Sequence, residues 1–264
     1  FDVTEDVLGL DSPATMAYGL AYPEENRRTY AAEVPALFAS ERDDPATQET
    51  ITNLLRDVIR FTPGNTLLFF PSYSEAERYY GRLGGDAAAP ELGTLILDES
   101  GKSTEDLRQR FVASDDAVLF TSLWGTLAEG VSFDGDQART VAVIGVPYPK
   151  LSERMEAVQD AYERAYSGTH QKRDAGWAYA VEIPTIRKTR QALGRVIRSP
   201  EDFGVRILAD KRYTNADMGK YSVRRSFPFE EREELVDISP EKLKFAMLNF
   251  YTDHDAYDGA PPEP

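Results

Sequence analysis

Cysteine is absent from the 264-residue sequence, and histidine is nearly so, with only His170 and His254. The first absence excludes disulfides, thiol catalysis and a cysteine-ligated zinc or iron–sulfur site within this chain. The two histidines lie too far apart in sequence to suggest a cluster, so no metal site is expected. No run approaches the roughly 18 consecutive apolar residues that a membrane-spanning helix needs. The N-terminal stretch FDVTEDVLGL has neither the basic start nor the apolar core of an export signal. A cytoplasmic protein with no membrane partner is expected. Lysine is scarce too: 8 Lys stand beside 22 Arg, and 45 acidic residues bring the net charge to −15. Such acidity suits either a salt-rich cytoplasm or an ordinary acidic protein, and composition leaves both open.

What is present is a core. Apolar residues make up 41% of the sequence and aromatics 11%, enough for one large domain or two small ones. The runs TLLFFP (66–71), TLILD (94–98), AVLFT (117–121), TVAVIGV (140–146) and VRILA (205–209) are apolar on both faces and bounded by turn residues, which predicts buried strands. Helical patterns separate them at 47–60, 74–83, 103–111 and 184–198. This alternation predicts an α/β fold with a parallel sheet covered on both sides, and working residues are then sought at the carboxyl ends of the strands. Residues 1–46 show little periodicity and are expected to be an irregular segment packing on a domain of residues 47–213. Residues 214–264 are expected to add helices near 229–235 and 240–250 and a disordered tail.

Two stretches invite a chemical reading. In TLILDESGKS, Gly101-Lys102-Ser103 resembles the end of a phosphate-binding loop, but Ile96 stands where the first glycine is required. A turn followed by a helix capped by Ser103 is the expectation. Asp98 and Glu99 are adjacent at a strand end and should point to opposite faces. The segment from Arg187 to Arg225 holds eleven basic residues against four acids, a net +7 that leaves −22 on the remainder. On a helix over 184–198, Arg187, Gln191, Arg195 and Arg198 would share one face, opposite Ile186, Ala192, Leu193, Val196 and Ile197. That face is either a solvated basic surface or a row of guanidinium forks for phosphate oxygens. Gly194 would cost about 1 kcal/mol in a helix interior, which suggests a close approach to the backbone there. Asp210 and Arg212 suit either a simple pair at a strand end or a nucleotide role.

The block Gln191-Ala-Leu-Gly-Arg195-Val-Ile-Arg198, then Asp202-Phe-Gly204 and a strand ending Asp210-Lys-Arg212, resembles motif VI of superfamily 2 DNA helicases of the XPD/DinG branch. Thr121 to Phe133 (TSLWGTLAEGVSF) resembles motif V, TVAVIGVPYP the strand that follows it, and Leu68 to Tyr73 motif IV. The resemblance implies a RecA-like helicase C-terminal domain, the second motor half of an ATP-dependent 5′-to-3′ DNA helicase of DNA repair. It implies Arg195 and Arg198 as arginine fingers and Gln191, Glu129 and Gly130 as nucleotide-facing residues. Ser72, Tyr73 and Thr121 would lie toward single-stranded DNA. ATP with magnesium would be bound mainly by the first motor domain, whose phosphate-binding loop, DEAH box and iron–sulfur cluster are not in this sequence. This chain alone should therefore lack ATPase activity, and with the acidity the resemblance points to a halophilic archaeon. Ser132 departs from the family pattern, which has aspartate there. The competing expectation is an inert RecA-like module that binds nucleic acid or a protein.

Overall fold

The apolar runs read as strands pair into a sheet in which every neighbour relation is parallel. The computed structural model describes residues 2–14, 16, 22–87, 90–99, 101–127, 133, 135–167, 174–216 and 218–264. Among them the sheet comprises β1 (Arg27–Ala32), β2 (Thr66–Phe70), β3 (Thr94–Leu97), β4 (Ala117–Ser122), β5 (Thr140–Ile144), β6 (Gly204–Ala209) and β7 (Leu235–Ile238), in the order β3-β4-β2-β5-β6-β1-β7. The α-helices of five or more residues are α1 (Asp2–Leu8), α2 (Pro45–Arg60), α3 (Tyr73–Arg82), α4 (Thr104–Val112), α5 (Glu153–Tyr166), α6 (Ile183–Leu193), α7 (Phe229–Glu233) and α8 (Pro240–Asp253).

Alternation along the strands divides the core in two. Leu68 and Phe70 of β2 join Phe120, Ala142 and Ile207 beneath α2 and α8, where Leu54, Leu55, Val58, Leu243 and Met247 are buried. Leu67 and Phe69 join Leu119, Val141, Val143 and Leu208 beneath α4 and α6, against Phe111, Ile186 and Leu193. Side chains start the helices where needed: Asp44, Ser72 and Ser103 each accept a hydrogen bond from the backbone N–H three residues on. Gly101 and Lys102 thus form the expected turn before a helix capped by Ser103. Among the described residues no helix is long and apolar enough to cross a membrane, and no three His, Asp or Glu side chains gather as metal ligands.

Both flanks differ from expectation. β1 lies inside the stretch read as irregular, and β7 inside the one read as helical. The sheet therefore extends beyond residues 47–213 on both sides. Strand β1 sits between β6 and β7; its two leading arginines hide it from a search for apolar runs, although Thr29 to Ala32 are buried. The 258–264 tail carries no helix or strand, and Arg60 donates to the Glu263 carbonyl.

An ion triad of two buried arginines and a partly buried glutamate holds this side of the sheet. Glu234, just before β7, accepts from Arg27 Nη2 at 2.7 Å and Nε at 3.1 Å, and from Arg206 Nη2 at 2.8 Å. Arg27 and Arg206 are 5% and 7% exposed, so two guanidinium charges depend on one carboxylate. Burial pushes the Glu234 carboxyl up, but the hydrogen bond from Arg27 and the two arginine charges outweigh it and hold the group below its ordinary 4.5. At Arg206 burial wins and lowers the guanidinium, whereas the Glu234 bond raises that of Arg27. A carboxyl lowered by folding stabilises above its unfolded pKa and loses that contribution as pH falls through the folded value. Glu234→Gln should therefore cost about 3 kcal/mol at pH 7, because it strands two buried cations. The gap between wild type and variant in urea unfolding should shrink once the pH drops below 4.5.

Candidate functional site

α6 forms because its apolar residues recur at helical spacing. Ile186, Ala192 and Leu193 face the core, while Arg187 and Gln191 are exposed. It stops sooner than the sequence suggests. The helix ends at Leu193, and Gly194 is its C-cap with φ −72° and ψ 2°. Arg195 and Arg198 therefore lie on the following loop and not on a helical row with Arg187 and Gln191. Gly194, a poor residue for a helix interior, caps the helix and Pro200 follows, while Val196 and Ile197 reach the core from the loop. A Cβ on Gly194 would meet only ordinary contacts, the nearest being the Arg190 carbonyl at 3.4 Å, so no close approach explains this glycine. The close approach is at Gly204, where a Cβ would fall 2.1 Å from Val196 Cγ1 and 2.4 Å from the Arg139 carbonyl oxygen.

The arginine loop lies beside the amino ends of the strands, next to Arg139, whose carbonyl accepts from Val205 N at 3.1 Å. Arg195 is 6% exposed. Burial lowers its guanidinium below the ordinary arginine value, and the like charge of Arg198 acts in the same direction. Arg198 itself is exposed. Its backbone is fixed: Asp202, 7% exposed, accepts from the N–H groups of Arg198 and Ser199, each at 2.8 Å. Tyr22 Oη donates to the Arg198 carbonyl at 2.6 Å, and Asn26 Nδ2 to that of Pro200 at 2.8 Å. The result is two adjacent cationic forks on a braced loop, a donor set suited to an anion with several oxygens.

A second group gathers at the opposite edge, where β2, β3 and β4 end. Ser72 uses its hydroxyl to cap α3. Tyr73 packs its ring hydroxyl over Gly125, where a Cβ would come within 2.4 Å, and bonds to Thr126. Burial and the nearby Asp98 charge raise the Tyr73 phenol. Thr121 is fully buried and donates to Asp98 Oδ2 at 2.6 Å. It cannot face a strand of DNA and instead orients Asp98, whose carboxyl burial pushes upward. Glu99 is exposed beside Lys102, so the two adjacent acids do diverge. Trp124 lies in the TSLWGTLAEGVSF block, and sequence alone gives it no role. It is 37% exposed, donates its indole N–H to the Pro147 carbonyl at 2.8 Å and lies under the Lys188 ammonium at 4.6 Å. An exposed ring beside a cation is the signal that distinguishes it. Glu129, Gly130 and Ser132 lie outside the described residues.

Much of the basic segment serves the fold. Arg212 pairs with the fully buried Asp210 at 2.6 Å, and Asp210 also accepts from Leu37 N. Arg206 joins Glu234, Arg190 joins Glu231, and Arg224 reaches Asp237 at 2.7 Å. Three of these four carboxylates lie downstream of residue 225, so a count confined to 187–225 overstates the positive charge on offer.

Residues 55–227 match the family described as the helicase C-terminal domain. The chain belongs to that family. It is 30% identical over 184 residues to the XPD helicase subunit of the general transcription and DNA repair factor IIH of Schizosaccharomyces pombe, covering 67% of this chain and 23% of that protein. Over 190 residues it is 26% identical to the ATP-dependent DNA helicase DDX11 of Danio rerio, covering 65% and 21%. The chain thus spans about a quarter of the length of the curated relatives it matches. A solved XPD helicase superposes with a TM-score of 0.62 at 19% identity, over 81% of this chain and 35% of that one. The seven-stranded parallel sheet is accordingly the RecA-like fold of XPD. In this helicase C-terminal domain the Asp202 brace and the Gly204 approach occupy the motif VI block, and the Tyr73, Asp98 and Thr121 contacts join motifs IV and V. Gly204→Ala should destabilise the domain by about 1–3 kcal/mol in urea unfolding, since backbone and Val196 must both shift, whereas Gly194→Ala should leave the midpoint essentially unchanged.

Proposed function

We propose that this chain is the second motor half of an ATP-dependent DNA helicase of repair, of 5′-to-3′ polarity, and that its arginine loop completes an ATP site formed with a first motor half. The observation that carries this reading is the braced loop itself. Two guanidinium groups are close enough for Arg198 to lower the pKa of Arg195, and the backbone of Arg198 is held at both its N–H and its carbonyl.

Magnesium and ATP would be cradled mainly by the first half, the metal neutralising charge on the β- and γ-phosphates. This chain contributes the cations that arrive from the other side. Arg195 and Arg198 would donate to the γ-phosphoryl oxygens, where negative charge spreads in the transition state, and such a finger contributes roughly 10³–10⁵ in rate. Gln191, exposed on the last turn of α6 before that loop, would take a neutral contact near the same phosphate, with Glu129 and Gly130 linking nucleotide to DNA. Fixing the loop before the nucleotide arrives avoids reorganisation during the reaction.

At the carboxyl edge, Ser72 and Tyr73 shape the start of α3 and Thr121 orients Asp98, while Trp124 offers the surface on which a base of single-stranded DNA would stack. In the assembled motor, this chain together with the first half, Arg198→Ala should lower DNA-stimulated ATP turnover by about 10³ or more without changing the unfolding midpoint. The chain alone should turn over no ATP. Full turnover in both Arg195→Ala and Arg198→Ala, or robust hydrolysis by the isolated chain, would return the loop to a purely structural role. Trp124→Ala should weaken single-strand affinity by about 1–3 kcal/mol, read by fluorescence anisotropy; unchanged affinity would remove Trp124 from the strand path.

A further inference from the structure

The run from Tyr22 to Asn26, just before β1, touches the arginine loop across 174 to 176 residues of sequence. Tyr22 gives its hydroxyl to the Arg198 carbonyl at 2.6 Å, and Asn26 gives its side-chain amide to the Pro200 carbonyl at 2.8 Å. On the other side of the same peptides, Asp202 takes the N–H groups of Arg198 and Ser199. The loop has no helix or strand of its own over residues 195–203, so these contacts fix where the Arg198 backbone stands.

The run is itself anchored. Arg27 donates through Nη1 to the carbonyls of Tyr22 and Pro23, the latter at 3.2 Å, while its other nitrogens hold Glu234. Asn26 N closes a turn onto the Pro23 carbonyl at 3.3 Å, and the Tyr22 ring packs on the apolar cluster beneath α6. A continuous set of bonds therefore runs from the triad of Arg27, Glu234 and Arg206, through the carbonyls at 22 and 23, to the carbonyls at 198 and 200. We infer that Tyr22–Asn26 is a strap that positions the arginine loop, with Tyr22 and Asn26 as positioning residues for nucleotide hydrolysis. The inference rests on the proposed role of Arg198 and adds two residues that carry none of the helicase motifs. A strap of this kind changes how often Arg198 occupies its productive place and leaves the ground-state affinity for nucleotide alone.

The test uses Tyr22→Phe and Asn26→Ala in the assembled motor, with Arg198→Ala beside them. Each strap variant should lower kcat for DNA-stimulated ATP hydrolysis about fivefold, the effect of one ordinary hydrogen bond, with KM for ATP and the unfolding midpoint unchanged. Adding Tyr22→Phe to Arg198→Ala should slow the enzyme no further, because the two act through one group. Wild-type kcat in both strap variants while Arg198→Ala is slow would overturn the strap and leave the finger reading intact. Wild-type kcat in Arg198→Ala would overturn both. An additive loss in the double variant, or a raised KM with kcat preserved, would show that the strap acts on something other than Arg198.

Discussion

Glu234 stands between two buried guanidinium groups, and much of one side of the molecule depends on its charge. Arg27 opens β1, Arg206 lies within β6 and Glu234 precedes β7, so one carboxylate ties together three neighbouring strands. Two buried cations without it would face a desolvation cost that neither hydrogen bonding to carbonyls nor packing could offset. Arg27 also spends its remaining donor on the carbonyls before β1, and this carries the order of the sheet outward to the strap and the arginine loop. The triad thus connects stability to the place where chemistry is proposed.

The sheet then separates two kinds of work. Parallel strands give the molecule two unlike edges: β2, β3 and β4 finish where Tyr73, Asp98, Thr121 and Trp124 meet, whereas β5 and β6 begin where Arg195 and Arg198 lie. α6 runs antiparallel to the strands, with Lys188, at its middle, reaching over Trp124 and Gln191 lying near the arginine loop. A shift of this single rigid helix would be felt at both edges, a geometry suited to converting a change at a phosphate into a change at a nucleic-acid strand. Rigidity at each end matters for that role, and both ends are crowded by design of the chain: Gly125 admits the Tyr73 ring, and Gly204 admits Val196 and the Arg139 carbonyl.

Five strands, β2 to β6, could be read directly because each is a largely unbroken apolar run, and four helices because their apolar spacing is regular. β1 and β7 escaped for opposite reasons. RRTYAA begins with charges whose pairing is provided by a residue more than two hundred positions away, and LVDI is a four-residue edge strand with a charge inside it. α5, with no buried residues, lacks the apolar stripe by which a helix announces itself. Local spacing extended the helix through Gly194, because Val196 and Ile197 repeat the apolar spacing of Ala192 and Leu193 and reach the core from the loop as they would from a helix. The positive charge of the 187–225 segment was likewise visible without its partners, Glu231, Glu234 and Asp237, which fold back onto it. Thr121, read as facing DNA, is a small polar residue at a strand end, and only the position of Asp98 reveals that it points inward.

The central claim is that the arginine loop faces a nucleotide presented by another motor half. The most direct measurement is a crystal structure of the assembled motor holding magnesium, ADP and aluminium fluoride in place of the transferring phosphate. The account predicts a guanidinium nitrogen of Arg198 or Arg195 at about 2.7–3.2 Å from a fluoride, with the Asp202 and Tyr22 bonds to the loop intact. A fluoride contacted only by the first half, with both guanidinium groups directed away from it, would contradict the account.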